Sequence, residues 1–503
     1  MRALCWAFAF AITLRVLSQY AVGILWDWHP FIWYLFLVPS SVTAMGLENW
    51  GWFVEWSPAF IGTGMLVDLN VAVNFFVGSL LAWGIIGPLL VSYGAAFGTE
   101  VSETGLVSYH AISGEFTSAS HPSPRYWLLW PAIACLVAVS LTELACQWRV
   151  FWLSAKAAWS NLLQVASSTF LSVIESREFQ KSDSEYSDAI EDPASPEELV
   201  KTWMWLPGLL VTLVLACLVM KIQYGLPIRE TCLALLMAFL FSFLAVQATG
   251  ATDITPLTAG SASSQVVLGA EASGQGWNLA KLQRLSLLGG ALSAIGASQA
   301  ADLTGDFRVG FLLRTSPKQQ WLAQGIGSIF ASFIAPGIYV LFASAYSCVN
   351  DAAATQCSFQ VPSASAWRAI AVATTDPASS IPRSSVIFAA IMAALGSTSV
   401  LVRHHIWTGR WHLMRQYYPS MMVIAMAFII PASIYATAIL MGALLTWYWM
   451  KKSARSFDTY GYAVAAGWIA GEGIGGVINA VMQLTGISGD VFGTQIGCPG
   501  GVC

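Results

Sequence analysis

"AVAAGWIAGEGIGGVINAV", residues 463–481, is apolar over the length of a membrane-crossing helix, yet it carries a carboxylate, Glu472, at its middle. Gly467, Gly471 and Gly475 recur every four residues. They give two overlapping GxxxG steps on one helix face, where a second helix can approach closely. Glu472, Gly476 and Asn479 fall on a neighbouring face. A carboxylate beside so tight a crossing is shielded from lipid and placed to bind and release a proton. The competing reading is a structural hydrogen bond from Glu472 to a partner backbone.

The rest of the chain gives that helix its setting. Of its 503 residues 56% are hydrophobic and only 10% charged, where soluble domains carry roughly 25%; the mean hydropathy is +0.63. This is the composition of a polytopic membrane protein. The expected fold is all-α, a transmembrane helical bundle with broken or re-entrant helices, forming a single domain over 1–503. A net charge of −4 leaves no basic surface of the kind nucleic acid requires, so the lipid bilayer is the expected environment. The opening segment 1–25 has Arg2 in front, but Arg15 interrupts its apolar core and no small-x-small cleavage site follows, so it reads as a span.

A span needs about 20 mostly apolar residues. Windows of that kind fall near 3–25, 70–93, 126–147, 203–221, 231–250, 320–346, 383–402 and 460–482. Less regular candidates are 31–40, 53–67, 254–270, 284–301, 302–315 and 419–450. Together they predict about 11 to 14 membrane segments. Residues 176–198, acidic and serine-rich, predict a disordered, solvent-facing loop whose deletion leaves the rest in place. Basic residues cluster at 403–416, at 451–455 and at Arg308, Arg314 and Lys318, as cytoplasmic loops do. With those clusters inside, Cys348 and Cys357 lie outside and are disulfide candidates; Cys498 and Cys503 form a second possible pair.

Backbone broken by Gly or Pro at membrane depth survives only where it lines a cavity or is buried in protein, and so points to a transport site. "WSPAFIGTGMLVDLN" (56–70) is one such stretch, with Ser57 and Pro58 at its start and Asp68 and Asn70 at its end. "TGATDITPLTAGSASSQ" (249–265), with Thr252, Asp253 and Pro256, is another, and "SAYSC" is a weaker third. A charged side chain at bilayer centre costs about 2.5 to 3.5 kcal/mol on insertion scales, which makes each such carboxylate a functional candidate. Besides Glu472 these are Glu55, Asp68, Glu143, Asp253, Asp302 and Asp306. Glu55 and Glu143 lie near predicted ends and read as interfacial. Asp302 and Asp306 precede Arg308, so a helix-end ion pair competes with a substrate role; Asp253 can equally cap the turn begun by Pro256.

Enzyme signatures are absent from the sequence: it has no GxxxxGK[ST], no HExxH and no GxSxG. A gradient-driven carrier is the reading that remains, with no cofactor and no metal site. His404, His405 and His412 read as part of a solvated basic loop rather than a metal cluster.

The segments 56–90, 250–270, 300–320 and 465–481 resemble, in order, the oligopeptide transporter superfamily, and within it the yellow-stripe-like and fungal branch more than the classical peptide branch. The resemblance implies a secondary transporter at the plasma membrane. It would couple protons to uptake of small peptides, glutathione-like conjugates or metal chelates, through about 16 membrane helices. By motif it carries a substrate or proton pathway onto Ser57, Pro58, Asn70, Thr252, Asp253, Pro256 and Glu472, and a cytoplasmic gate onto 306–320. Family members have further spans before the segment matched by 1–25, which leaves a non-transporting membrane protein as a rival.

Overall fold

The computed structural model describes residues 1–39, 41–100, 105–112, 114–146, 194–195, 197–252, 255, 257–351, 361–376, 381–407, 417–431 and 433–499, with positions 148, 152 and 156. The acidic stretch, Asp253, Pro256, Cys357, His412 and Cys503 lie outside the described residues, apart from the last few positions of the acidic stretch.

The chain opens with α1 (Arg2–Ser18) and a single turn, α2 (Val22–Leu25). Two short helices follow, α3 (Pro30–Leu37) and α4 (Val42–Asn49), packed on each other and flanked by the two-residue strands β1 (Asp27–Trp28) and β2 (Val54–Glu55). The strands pair antiparallel, Asp27 opposite Glu55, and so close the base of this helical hairpin. Inside it His29 Nδ1 meets Glu48 Oε1 at 2.5 Å, both side chains buried. His29 also stacks on Phe53, with centroids 4.2 Å apart. At eight residues each, the two helices are far too short to span.

Next come α5 (Pro58–Leu66) and α6 (Leu69–Ser79), which runs through a π-helical turn at Leu80–Ile86 into α7 (Gly87–Ser92). A small sheet of β3 (Thr99–Glu100) and β4 (Val107–Ser108) leads to α8 (Pro124–Cys146). This central helix buries Tyr126, Trp127, Leu128, Leu129 and Leu136 among the largest core side chains. Then follow α9 (Thr202–Tyr224), α10 (Ile228–Thr252), α11 (Leu257–Ser273), α12 (Leu279–Leu313), α13 (Pro317–Ala345), α14 (Pro362–Thr375), α15 (Arg383–His405), α16 (Met421–Ile429), α17 (Ile434–Thr485) and α18 (Gly489–Phe492).

Among the described residues seven helices are long and apolar enough to cross a membrane. The all-α expectation holds, and the protein is an integral membrane protein. The larger sequence count arises because several apolar windows are pieces. The window 31–40 is part of the short hairpin, 53–67 is a strand and a broken helix, and 284–301 with 302–315 form the one 35-residue helix α12. The helix α17 is the reverse case. Its 52 residues are two helices joined at Ser453, which is extended (φ −161°, ψ 88°) directly after Lys451 and Lys452.

The glycine face of α17 packs on α1. A Cβ at Gly467 would stand 2.8 Å from the Ala7 Cβ, and one at Gly471 would stand 2.5 Å from the Phe8 carbonyl oxygen. One at Gly475 would stand 2.8 Å from the Arg15 Cβ. The first half of α17 meets α5 as closely, since a Cβ on Gly442 would lie 2.9 Å from Gly64 Cα. Helix α5 is therefore held by both halves of α17, with Gly62 against Ala465 and Gly64 against Ile439.

Candidate functional site

Three interruptions of helix converge beside α17. The first is the unwound 56–57 before α5, where Ser57 is the N-cap and Pro58 the first helical residue. Ser57 is fully buried, and its Oγ accepts from Phe60 N at 3.2 Å. The same hydroxyl lies 3.0 Å and 2.8 Å from the two carboxylate oxygens of Glu472, and Ala59 N donates to Glu472 Oε2 at 2.7 Å. Pro has no N–H to offer, so the free amide nearest the end of α5 is that of Ala59, and the carboxylate takes it. A helix N-terminus carries partial positive charge and unpaired N–H groups, and Glu472 supplies the complementary anion from another helix. The structural alternative considered for Glu472 is thus present in the geometry, and its partner is the broken helix singled out independently in the sequence.

The second interruption is 430–433, between α16 and α17. Trp83 Nε1, from the π-helical turn, donates to Ile430 O at 3.1 Å, and Ser433 Oγ donates to Gly51 O at 2.8 Å. Just past it Tyr435 packs edge-on to Phe60, with centroids 4.7 Å apart. The third is the hairpin base, which brings Asp27 and Glu55 face to face. Glu55 lies within electrostatic reach of Asp27, Glu472 and Arg15, and Tyr435 within reach of Glu55 and Asp27. Glu55, read from the sequence as lying near a helix end, belongs to this polar cluster; its two-residue strand gives no periodicity that would reveal a pairing.

The other sequence candidates fall elsewhere. Asn479 extends the α1–α17 contact: its Nδ2 donates to Arg15 O at 3.0 Å, and its Oδ1 accepts from Gln19 Nε2 at 3.1 Å. Asp68 is the exposed N-cap of α6 and makes no capping bond. Asn70 holds the far end of that helix pair through Tyr418 O (3.4 Å) and Asn74. Asp302 and Asp306 are exposed inside α12, and Asp306 accepts from Gln324 of α13 rather than pairing with Arg308. Thr252 ends α10 beside Asp253 and Pro256, and α11 starts at Leu257, so the predicted break is present, although the side chains of those three residues lie outside the described set. Cys348 is disulfide-bonded, as is Cys498.

Glu143 lies in the last turn of α8, near a helix end as the sequence reading has it. It is 7% exposed, with His404 Nε2 at 2.8 Å and an Arg403 guanidinium nitrogen at 3.7 Å. His404 closes the last turn of α15, so it belongs to this ion-pair cluster and not to a solvated loop. Helix spacing along either segment alone carries no sign of the pairing, since the partners are 261 residues apart. Among the described residues no group of three or more His, Cys, Asp or Glu is arranged to hold a metal ion.

His110, whose two ring nitrogens are buried, is a further group that the sequence did not mark. The loop bearing it seats on the hairpin end, with Tyr109 stacked on Trp50 at 4.0 Å and Val107 N bonded to Asn49 Oδ1 at 3.2 Å. Burial, reinforced by the Arg125 guanidinium, holds the imidazole down at about 3. A group depressed in this way binds its proton more readily in the unfolded chain. Its contribution to stability is therefore complete above the ordinary imidazole range, about 6.5, and is lost as pH falls towards 3. A His110→Phe variant should flatten the acid side of the melting-temperature profile in detergent. An unchanged acid limb would show that other groups set it.

Comparison with known proteins gives the lineage. The family profile described as OPT oligopeptide transporter protein matches residues 1–483. A protein of Oryza sativa subsp. japonica named "Probable metal-nicotianamine transporter YSL13" is 24% identical over 86% of this chain and 56% of its own length. A Saccharomyces cerevisiae protein named as a candidate oligopeptide transporter, YGL114W, is 23% identical over 86% of this chain and 59% of its own length. The metal-nicotianamine transporter YSL2 of Arabidopsis thaliana is 23% identical over 84% of this chain and 59% of its own length. The chain thus spans less than two thirds of the length of these relatives.

Proposed function

We propose, from the premise that this chain belongs to the oligopeptide transporter family, that it is a proton-coupled secondary transporter of small oligopeptides or related conjugates in the plasma membrane. The observation that carries the reading is the Glu472 carboxylate seated on the N-terminus of α5, a broken helix inside the bundle. As an anion, Glu472 holds the Ser57 hydroxyl and the Ala59 amide, and charge-assisted bonds of this kind are roughly twice as strong as neutral ones. A proton on Glu472 removes the charge that the helix end favours and frees α5 to shift against its glycine contacts. Proton occupancy is thereby linked to the position of a helix. Ser57, Pro58, Glu472 and Asn479, with the break at Thr252, Asp253 and Pro256, form the pathway in this reading. Asp68 and Asn70 are left to the start of α6, and Asp302 and Asp306 to the exposed face of α12.

A metal-chelate carrier on the same fold is the second reading, favoured by the names of the plant relatives. Uptake of a labelled tripeptide and of a labelled metal chelate, each in transport-deficient cells expressing the chain, separates the two. Peptide uptake that rises at acidic external pH and collapses with a protonophore is the expected result. Uptake of the chelate alone would select the second reading, and uptake no higher than in vector controls would sink both.

A further inference from the structure

Beside Glu472 lies a set of charges that the coupling step leaves unused. Arg15 sits on α1, with its Cβ against Gly475 and its carbonyl held by Asn479. Its guanidinium lies over the Trp26 ring, 4.2 Å from the centroid. It is within electrostatic reach of Asp27, Glu55 and Glu472. Even so, among the described residues the Arg15 guanidinium forms no ion pair, and the side chains of Asp27 and Glu55 accept no hydrogen bond. The Asp27 Oδ1 atom is buried and has no partner. Glu472 differs from these two carboxylates, because α5 already satisfies it.

Opposite charges that share a half-buried region normally close into a pair, because each unpaired ion carries a desolvation cost; here, with no cation paired to them among the described residues, burial pushes the carboxyls of both Asp27 and Glu55 up. Here each is fixed apart from the other: Arg15 by its stacking on Trp26 and the glycine contact, Asp27 and Glu55 by their places in the strand pair. What satisfies both at once is a molecule with a cation at one end and an anion at the other.

We propose that Arg15 and the Asp27–Glu55 pair form a dipolar recognition site, in which Arg15 takes a substrate carboxylate and the two acids take a substrate ammonium. The site rests on the transporter reading above and sharpens it, since a small peptide with both termini free has the required charges. Arg15 offers a planar fork matched to a carboxylate. The ammonium brings three donors to the acceptors on Asp27 and Glu55. Trp26, stacked on the guanidinium, fixes which way the fork faces.

The test measures binding separately from transport. Purified full-length chain in nanodiscs is titrated with trialanine, N-acetyl-trialanine and trialanine amide, with binding followed by calorimetry. Each blocked terminus should weaken binding about tenfold or more, as loss of a charged hydrogen-bond partner does. Glu55→Gln should shrink the penalty for acetylation, Asp27 still being present, and keep the penalty for amidation. Arg15→Gln should do the reverse, and Arg15→Lys should keep the wild-type order with weaker affinity. Equal binding of all three peptides, no binding of any, or the same proportional loss in every variant would overturn the site. Selective binding without uptake in cells would instead leave the site standing and count against transport.

Discussion

A Glu472→Gln protein is expected to reach the membrane in normal amount and to lose the pH dependence of uptake. The amide keeps the length of the side chain, and its carbonyl oxygen still accepts from Ser57 Oγ and Ala59 N, now at 2.8 Å and 2.7 Å from a carboxylate oxygen. What disappears is the charge and its titration. A hydrogen bond to a charged group is worth about 1.5 to 3 kcal/mol against about 1 for a neutral one, so α5 should be held less firmly by about 1 to 2 kcal/mol. Uptake by the variant, measured between pH 5 and 8, should be flat, at a level at least about tenfold below the wild-type maximum. A well-expressed variant with an unchanged pH profile would remove Glu472 from the coupling step. Glu472→Leu serves as the contrast. It leaves the buried Ser57 hydroxyl and the end of α5 without their anion, a loss of about 3 to 5 kcal/mol for a broken buried charge contact, and should lower the yield of folded protein.

The second large effect is expected at Gly471. A Cβ there would stand 2.5 Å from the Phe8 carbonyl oxygen and 2.7 Å from the Ala11 Cβ, and Ala11 is fully buried. Since the obstacle is backbone, no rotamer change relieves it, and Gly471→Leu must push α1 off α17. Overpacking of this kind costs about 1 to 3 kcal/mol in a deformable core and more against fixed backbone. Monodisperse protein recovered by size-exclusion chromatography should fall about fivefold or more. Gly476→Ala on the same helix has nothing within 4 Å of its new Cβ and should be silent. If both variants behave alike, the glycine face is not a packing surface.

Much of this was legible in the sequence because membrane spans and glycine faces are local signals. The apolar windows gave the helices, the four-residue spacing of Gly467, Gly471 and Gly475 gave the face that meets α1, and Pro58 gave the start of α5. Glu472 and Ser57 were each marked, although nothing in one sequence says that residues 415 apart hydrogen-bond. The polar cluster around Asp27 and Glu55 was hidden for a different reason. It hangs on two-residue strands and on eight-residue helices, too short for a period of 2.0 or 3.6 to emerge. Tyr435 was missed because the break at 430–433 lay within one long apolar window, 419–450. Arg15 was noticed only as an intruder in an apolar run; its stacking on Trp26 is a tertiary fact.

The bend at Ser453 has a mechanical consequence. Glu472 lies 19 residues beyond it along an unbroken helical arm, which at about 1.5 Å per residue is a lever of about 28 Å. A change of about five degrees at the fulcrum would swing the carboxylate by roughly 2.5 Å, nearly the full length of its 2.7 Å bond to Ala59 N. Lys451 and Lys452 sit directly beside that fulcrum and are exposed. The same small rotation that displaces Glu472 by about the length of a hydrogen bond moves the backbone of Lys452 and Lys451, one and two residues from the fulcrum, by only a few tenths of an ångström.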